Sequence, residues 1–236
     1  MGLMGRMGLI GPLGRIGRAG TGAAVSIGCC VLAAVVLVLA LTPGSLFAAQ
    51  DKGTPLFDGK TFGGWEGNLA VFRIEDGAIV GGSLNERVVR NEFLCTTKEY
   101  GDFELRVTFK LLGEGANAGI QFRTKRIPNH HEVSGYQADM GDGYWGALYD
   151  ESRRNKVLAG PDKEEVKKFV KLNDWNDYVI RAEGKHSQQW LNSVKTVDYT
   201  ETDDTVAAKG VIALQIHGGP PSEAWYRDIT IKELGK

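Results

Sequence analysis

Short stretches of alternating hydrophobic and polar residues fill most of the chain after about residue 55. In the clearest one, residues 102–111, every second residue is Phe, Leu or Val, and the residues between them are charged or Thr. A period of two buries one face of an extended segment and leaves the other in water, as in an antiparallel strand. Gly, Asn and Asp separate the stretches as turn residues. The pattern predicts strands at 71–75, 79–80, 102–111, 118–123, 136–140, 178–182, 188–191, 211–217 and 226–233.

One stretch has a helical period instead. The segment 162–172, which follows Pro161, places Val166, Phe169 and Val170 at helical spacing, and it has acidic residues in its first turns. We therefore expect one short helix between strands. The many short strands predict an all-β sandwich of two antiparallel sheets, in which this helix is a minor element.

The N-terminal part has a different pattern. An apolar run at residues 23–41 follows three arginines, Arg6, Arg15 and Arg18, and no acidic residue precedes it. This is typical of an export segment. Two interpretations stay open, because small residues end at Ala49 as a cleavage site would, while the run is also close to the length that spans a bilayer. The sequence thus predicts residues 1–49 as a signal peptide or membrane anchor and residues 50–236 as one domain.

The position of the arginines predicts where that domain functions. Basic residues stay on the cytoplasmic side of an apolar segment, so everything after residue 41 is expected to be exported, to the periplasm or the cell exterior. The only expected membrane contact is through residues 23–41. Cys29 and Cys30 lie in that run, which leaves Cys95 alone in the exported domain and excludes an internal disulfide there.

Composition excludes several classes of protein. The chain is 42% hydrophobic and 24% charged, which excludes a disordered or collagen-like protein. Its 28 basic and 29 acidic residues nearly cancel, which argues against a nucleic-acid partner. It lacks the motifs of serine hydrolases, zincins and nucleotide-binding enzymes. We therefore predict no cofactor and no metal ligand set, and a requirement for a divalent ion stays open.

Candidate chemistry lies on the polar faces of three predicted strands. Alternation pairs Gln121 with Arg123, Gln137 with Asp139, and Gln215 with His217 on faces opposite the apolar residues. Amide, guanidinium, carboxylate and imidazole groups are donors and acceptors suited to sugar hydroxyls. The alternative is that all of them are ordinary solvent-facing residues of a sheet. Their recurrence in three strands favours a binding face.

A second concentration of such groups follows Asp139. The segment 141–154 contains Tyr144, Trp145, Tyr149 and Glu151, together with two arginines. Aromatic rings beside a polar face stack on the C–H faces of sugars, and the acids and arginines can form ion pairs. In the alternative interpretation, Trp145 caps the core and the charges pair only with each other.

Several blocks together resemble a known family, and they span most of residues 55–234. They are 56–60 (LFDGK), 64–65 (GW), 72–79 (FRIEDGAI), 100–105 (YGDFEL), 117–123 (NAGIQFR), 135–139 (GYQAD), 175–176 (WN) and 210–217 (GVIALQIH). In this order they resemble the 3-keto-disaccharide hydrolase family. The resemblance implies a concanavalin A-like jelly-roll sandwich and an exported enzyme or binding protein that acts on carbohydrate. One departure is Tyr136, where many members carry Glu.

The resemblance also implies a reaction and a substrate, an oxidised glycoside. A base removes the proton at C2 of a 3-keto-glycoside, the aglycone leaves, and water adds. For this chain we predict Asp139 as the base and Glu151 or His217 as the acid, with Gln121 and Arg123 stabilising the oxyanion. Further predicted substrate-binding residues are Tyr136, Gln137, Trp145, Tyr149 and Gln215. The alternatives are a non-catalytic carbohydrate-binding module and an ordinary two-carboxylate glycosidase.

Overall fold

A computed structural model of the chain describes residues 53–235. Within them the chain forms fifteen strands and one helix. The elements are β1 Thr54–Pro55, β2 Trp65–Glu66, β3 Phe72–Glu75, β4 Ala78–Val88, β5 Glu92–Tyr100, β6 Phe103–Leu112, β7 Asn117–Arg126, β8 Val133–Gly141, β9 Leu148–Glu151, β10 Val157–Ala159, α1 Lys163–Val166, β11 Asn176–Glu183, β12 His186–Leu191, β13 Val194–Thr200, β14 Gly210–Ile216 and β15 Gly219–Glu233. The predicted all-β sandwich of two antiparallel sheets with one short helix is confirmed.

The predicted export segment, residues 1–49, lies outside the described residues. Its cleavage, and the domain boundary that follows it, therefore stay predictions. Among residues 53–235, no helix is both long enough and apolar enough to cross a membrane.

Sheet A contains eight strands. Seven lie in the order β13-β12-β11-β6-β15-β4-β3, and β1 pairs with β15. The strict alternation of β6 is seen directly, since its residues are in turn buried and half-buried along the whole strand. Phe103 and Phe109 of this strand are fully buried in the core. Because β6 lies at the centre of the sheet, between β11 and β15, its apolar face anchors one side of the sandwich.

Sheet B positions the candidate site. Its seven strands lie in the order β10-β9-β8-β7-β14-β5-β2, and all of the pairs are antiparallel. The inner face of β7 carries Ile120 and Phe122 into the core, where the Phe122 ring meets Phe103 of sheet A edge to face, with 6.4 Å between ring centroids. Residues between these apolar positions therefore project from the outer face of sheet B.

The predicted secondary structure needs correction at the helix and at the strands that were not predicted, which are β1, β2, β5, β9, β10 and β13. The helix covers only Lys163–Val166 and not the whole of 162–172, because the Asp162 side chain caps it and the chain turns after Lys167. Strand β5 was not predicted. Its Leu94 packs in the main core, whereas Phe93 and Cys95 pack in a smaller cluster on the outer face, so both faces are apolar and the alternation is hidden.

Candidate functional site

The three polar strand segments are neighbours in sheet B. Strands β8, β7 and β14 lie side by side, and Gln137 of β8 pairs with Gln121 of β7. Two residues further along β8, Asp139 pairs with Gly119 of β7, and Gly119 in turn pairs with Gln215 of β14. Strand β9 adds Glu151 at the other side of β8. We call the polar side chains gathered here the amide–carboxylate cluster. Its members are Asn117, Gln121, Gln137, Asp139, Glu151 and Gln215.

Asp139 is the most deeply buried acid of the cluster, with 3% of its surface exposed. The Met140 backbone N–H donates to its Oδ1, at 2.9 Å, and the side-chain amides of Gln137 and Asn117 also donate to the carboxylate. Burial outweighs these donors and raises the pKa of Asp139 to about 7, and the charge of Glu151 acts in the same direction. The carboxyl is therefore held in place and titrates near neutrality.

Glu151 lies on the same face but is half-buried. Nε2 of Gln215 donates to its Oε2 at 3.3 Å. Burial raises the pKa of Glu151 to about 7, and the nearby charges of Glu132 and Asp150 raise it further against the effect of the Gln215 amide. Two carboxyls that titrate near neutrality thus share one sheet face, which is the arrangement that acid and base catalysis requires.

Gly119 has no side chain, and this leaves room for the Gln137 side chain of the cluster. A Cβ at Gly119 would lie 2.3 Å from Cδ of Gln137, so the Gln137 side chain lies directly across this glycine. There, Gln137 accepts a hydrogen bond from Nε2 of Gln121 and donates to Asp139. Within the described residues, the Oε1 atoms of Gln121 and Gln215 are buried and accept no hydrogen bond. Each of these oxygens therefore has an unused capacity to accept a hydrogen bond.

The end of the β7–β8 hairpin, residues 125–133, folds back over the outer face. Val133 packs against Phe93, Cys95 and Ala213, which belong to β5 and β14. Nδ1 of His131 lies 3.0 Å from the backbone oxygen of Asn91, the residue just before β5. We call this segment the hairpin flap. It brings Glu132 near enough for its charge to raise the pKa of Glu151, an interaction that no spacing in the sequence indicates.

The prediction that Arg123 shares a face with Gln121 is wrong. Arg123 has a left-handed backbone, with φ of 48°, and the pairing of β7 with β8 shifts register here. A bulge of this kind breaks the alternation of side chains. The Arg123 guanidinium donates instead to the backbone oxygens of Gly101 and Gly184 and pairs with Asp102 at 2.8 Å. Its donors are occupied by turns of sheet A, away from the cluster.

The structure also corrects the placement of two aromatic residues. Tyr136 was predicted to bind the substrate, but its ring lies in the core against Phe122, and its hydroxyl donates to Glu201. Trp145 is also a core residue, stacked on Phe109 with 6.4 Å between ring centroids. The alternative in which Trp145 caps the core is therefore correct, although one edge of the indole borders a cavity.

Tyr149 lies beside the cluster, whereas the His217 side chain faces solvent. Tyr149 pairs with Gln137 across β8 and β9, is half-buried, and meets Tyr144 edge to face. Tyr149 therefore forms a wall of the cluster. His217 is exposed just beyond β14, and its Nδ1 lies 2.7 Å from the backbone oxygen of Gly218. It is near Asn117, whose backbone oxygen accepts its N–H, but it faces solvent.

A buried ion network supports the strand that carries Glu151. Asp150 is fully buried and pairs with Arg153, at 2.7 Å, and with Arg154. Arg154 also reaches Glu201, at 2.6 Å, and its hydrogen bonds hold the pKa of Glu201 below the usual range. The predicted pairing of acids with arginines in segment 141–154 is thus present. Glu201 was missed, since it lies 47 residues from Arg154 in the sequence.

Within 53–235, no group of three or more His, Cys, Asp or Glu side chains is arranged to hold a metal ion. The adjacent His130 and His131 stack on each other, with 4.4 Å between ring centroids.

One protein family matches almost the whole described region. The profile of the 3-keto-alpha-glucoside-1,2-lyase-like domain matches residues 52–232. No protein of curated function matches the chain.

Solved structures show where else the fold occurs. A provisionally named glycosyl hydrolase from Parabacteroides distasonis has a TM-score of 0.59 and 21% identity, covering 77% of this chain and 94% of its own. The carbohydrate-binding module CBM66 from Bacillus subtilis has a TM-score of 0.56 and 15% identity, covering 72% of this chain and 95% of its own. At such identities these likenesses show a shared fold.

Proposed function

The chain belongs to the family of 3-keto-alpha-glucoside-1,2-lyase-like domains, and from that membership we propose that it cleaves glycosides whose sugar ring carries a ketone at C3. We propose in addition that the sandwich is of the concanavalin A-like type and that residues 1–49 direct its export to the periplasm or cell exterior. Membership supports a role in carbohydrate chemistry. The amide–carboxylate cluster supports the particular reaction.

The proposed reaction has two steps. The C3 ketone acidifies the C2 proton, which a base removes; the electron pair forms the C1–C2 double bond as the C1–O bond breaks. The departing oxygen takes a proton from an acid. Water then adds across the double bond, with its hydroxyl bonding to C1 and a proton returning to C2. The net result is hydrolysis, with no oxidant or reductant consumed.

One observation carries this proposal, namely two carboxyls with pKa values near 7 on the same sheet face. Such groups are present near neutral pH both as acid and as base, the condition under which proton transfer is most effective. Asp139 suits the base, because three N–H donors stabilise its carboxylate. Glu151 suits the acid, because the neighbouring charges of Glu132 and Asp150 favour its protonated form.

Side-chain amides take the place of Arg123, which was predicted to stabilise the oxyanion. The oxygen at C3 gains negative charge when the C2 proton leaves, and fixed N–H donors stabilise such a charge. The amides of Asn117 and Gln137 already donate to Asp139, so they lie close to the site of proton removal. His217 is exposed, and its Nδ1 contacts the backbone oxygen of Gly218. Glu151 is therefore the better candidate for the acid.

The exposure of each residue indicates how the sugar approaches. Tyr149 and Glu151 are half-buried, whereas Gln121 and Gln215 are fully covered. The substrate therefore reaches the cluster over β9. At its floor, the two unpaired Oε1 atoms are acceptors for ring hydroxyls.

A non-catalytic sugar-binding module is the second candidate. It is favoured by the two buried amide oxygens that lack a donor, since they would bind hydroxyls whether or not a reaction follows. The fold shared with a carbohydrate-binding module is consistent with this candidate.

Turnover separates the two candidates. The full chain is incubated with a 3-keto-glucoside and with the unoxidised glucoside, and aglycone release and equilibrium binding are both measured. Release from the keto sugar alone supports the enzyme. Saturable binding without release supports the module, and the absence of both contradicts both.

A further inference from the structure

A cavity of about 530 Å³ lies beside the cluster, between the loop after β8 and helix α1. We infer that this cavity binds the leaving group of the substrate and that it selects an aromatic or otherwise apolar aglycone over a second sugar. The inference rests on the proposed function, since it names the class of glycoside that the same site would cleave. We call the cavity the aglycone pocket.

The walls of the aglycone pocket are mainly apolar. They include Tyr144, Trp145, Val157, Pro161 and Val166. Trp145 is fixed from behind by its stacking on Phe109, and Val166 is itself a core residue. A volume in this range, lined by aromatic and aliphatic side chains, is typical of a site for a small organic group.

Four charged residues also border the pocket, and two of them form an ion pair. Nζ of Lys167 pairs with Glu164 at 2.7 Å, and Asp142 and Lys163 also border the cavity. Two lysines and two acids leave no net charge, so an anionic ligand gains no preference. A second sugar would need several hydrogen-bonding partners for its hydroxyls, and the apolar part of the wall, which is the larger part, provides none.

The pocket is joined to the cluster by a row of residues across sheet B. Val157 of β10 pairs with Tyr149 of β9, which pairs with Gln137 of β8. Residues paired in this way share a sheet face, with Cβ atoms about 4.5–5.5 Å apart. Tyr149 also meets Tyr144, with 6.5 Å between ring centroids. Tyr149 therefore connects Gln137 of the cluster to Tyr144 and Val157 of the pocket wall.

The backbone gives a second connection. The loop that forms the pocket wall is paired with Asp139 itself, because the Asp139 N–H donates to the Ala147 oxygen at 2.9 Å and the Gly146 N–H donates to the Asp139 oxygen at 3.3 Å. A glycoside with its C2 proton at Asp139 and its C1 substituent directed past Tyr149 would place that substituent at Tyr144, a residue of the pocket wall.

The test uses two substrates with the same sugar, phenyl and methyl 3-keto-glucoside. Val157 is 45% exposed on the edge strand β10, so Val157→Asp places a charge in the pocket wall without disturbing the core. The matched control is Val194→Asp, because Val194 is 42% exposed on β13, an edge strand of the other sheet. Tyr144→Ala is a second pocket variant. For each protein, kcat/KM is measured on both substrates, and Kd is measured with Asp139→Asn in the background.

We expect Val157→Asp and Tyr144→Ala to lower the phenyl-to-methyl ratio of kcat/KM by about tenfold, because they remove apolar contact with the ring. Val194→Asp should leave the ratio within twofold of wild type. Equal ratios in all four proteins would overturn the aglycone pocket while leaving the proposed reaction intact.

Absence of turnover on both substrates would contradict the proposed reaction, and the Kd values then decide the pocket separately. A tenfold loss of phenyl-glycoside affinity in the pocket variants supports the pocket. Affinities that do not change, or no binding at all, overturn it.

Discussion

Gly119→Ala tests whether the close packing of the amide–carboxylate cluster is essential to it. The new Cβ would lie 2.3 Å from Cδ and 2.5 Å from Cγ of Gln137, where carbon atoms normally approach to about 3.5–4.0 Å. These atoms are in the middle of the Gln137 side chain, so the whole side chain must rotate away. It then loses its hydrogen bonds to Gln121 and to Asp139.

The expected cost has two parts. Overpacking of a buried site costs about 1–3 kcal/mol, and a lost hydrogen bond to a charged group costs about 1.5–3 kcal/mol. Because some relaxation is shared, we expect Gly119→Ala to lower the free energy of unfolding by about 2–4 kcal/mol. For a domain of this size that corresponds to a fall in Tm of roughly 4–16 °C.

Thermal unfolding followed by circular dichroism measures this change. Gly219→Ala is the matched control, because a Cβ at Gly219 meets no atom within 4 Å and neither glycine has a left-handed backbone. If Asp139 is the base, loss of the Gln137 donor also raises its pKa, so the acidic limb of the kcat/KM profile moves to higher pH. A Tm within 1 °C of the Gly219→Ala protein, with an unshifted profile, would refute this account of the cluster.

Three further changes test the electrostatics and the corrected placements, each by chemical denaturation. The pKa of Asp139 is about 7 in the folded chain and about 3.9 when unfolded, so its contribution to stability is present below pH 4 and is lost as pH rises through 7. Asp139→Asn should therefore be more stable than wild type at pH 8, by up to roughly 4 kcal/mol. The difference should shrink towards pH 4. Tyr136→Phe should cost about 1.5–3 kcal/mol by removing a buried hydrogen bond to a carboxylate, and it should leave sugar affinity within twofold. Arg154→Met should cost roughly 3–5 kcal/mol, because it removes a partner of the buried Asp150, whereas Lys168→Met breaks an exposed pair and should cost under about 1 kcal/mol.

Local patterns predicted the strands in which hydrophobic and polar residues alternate regularly. The alternation of residues 102–111 became β6, and the alternation in β7, β8 and β14 correctly placed Gln121, Gln137 and Gln215 opposite the core. Such features depend only on residues two positions apart, which a sequence displays directly. The turn at Asn192 and Ser193 was equally predictable, and both residues have the left-handed backbone of a tight hairpin.

Features that depend on distant residues were not predictable. The sequence could not show that β7 lies beside β14, because this pairing joins segments up to about a hundred residues apart. The partner of Tyr136, Glu201, lies 65 residues away and was not predictable either, although the core position of Tyr136 follows from the alternation that places Gln137 on the opposite face.

Arg123 was misplaced for a different reason. A single left-handed residue in a bulge reversed the expected face, and nothing in the residue type indicates that conformation. The approach of Glu132 to Glu151 likewise depends on the hairpin flap folding back over the sheet, which follows from the tertiary packing of Val133.

Deuterium incorporation at C2 tests the central claim most directly. Elimination followed by hydration takes the C2 proton into solvent and returns one from it, whereas direct hydrolysis by two carboxylates leaves that proton in place. The full chain is incubated with a 3-keto-glucoside in D2O, and the released sugar is analysed by mass spectrometry and NMR at early times against a protein-free control. The account predicts one deuterium at C2 in each sugar released, and no release with Asp139→Asn. Release of aglycone without deuterium at C2 would contradict it.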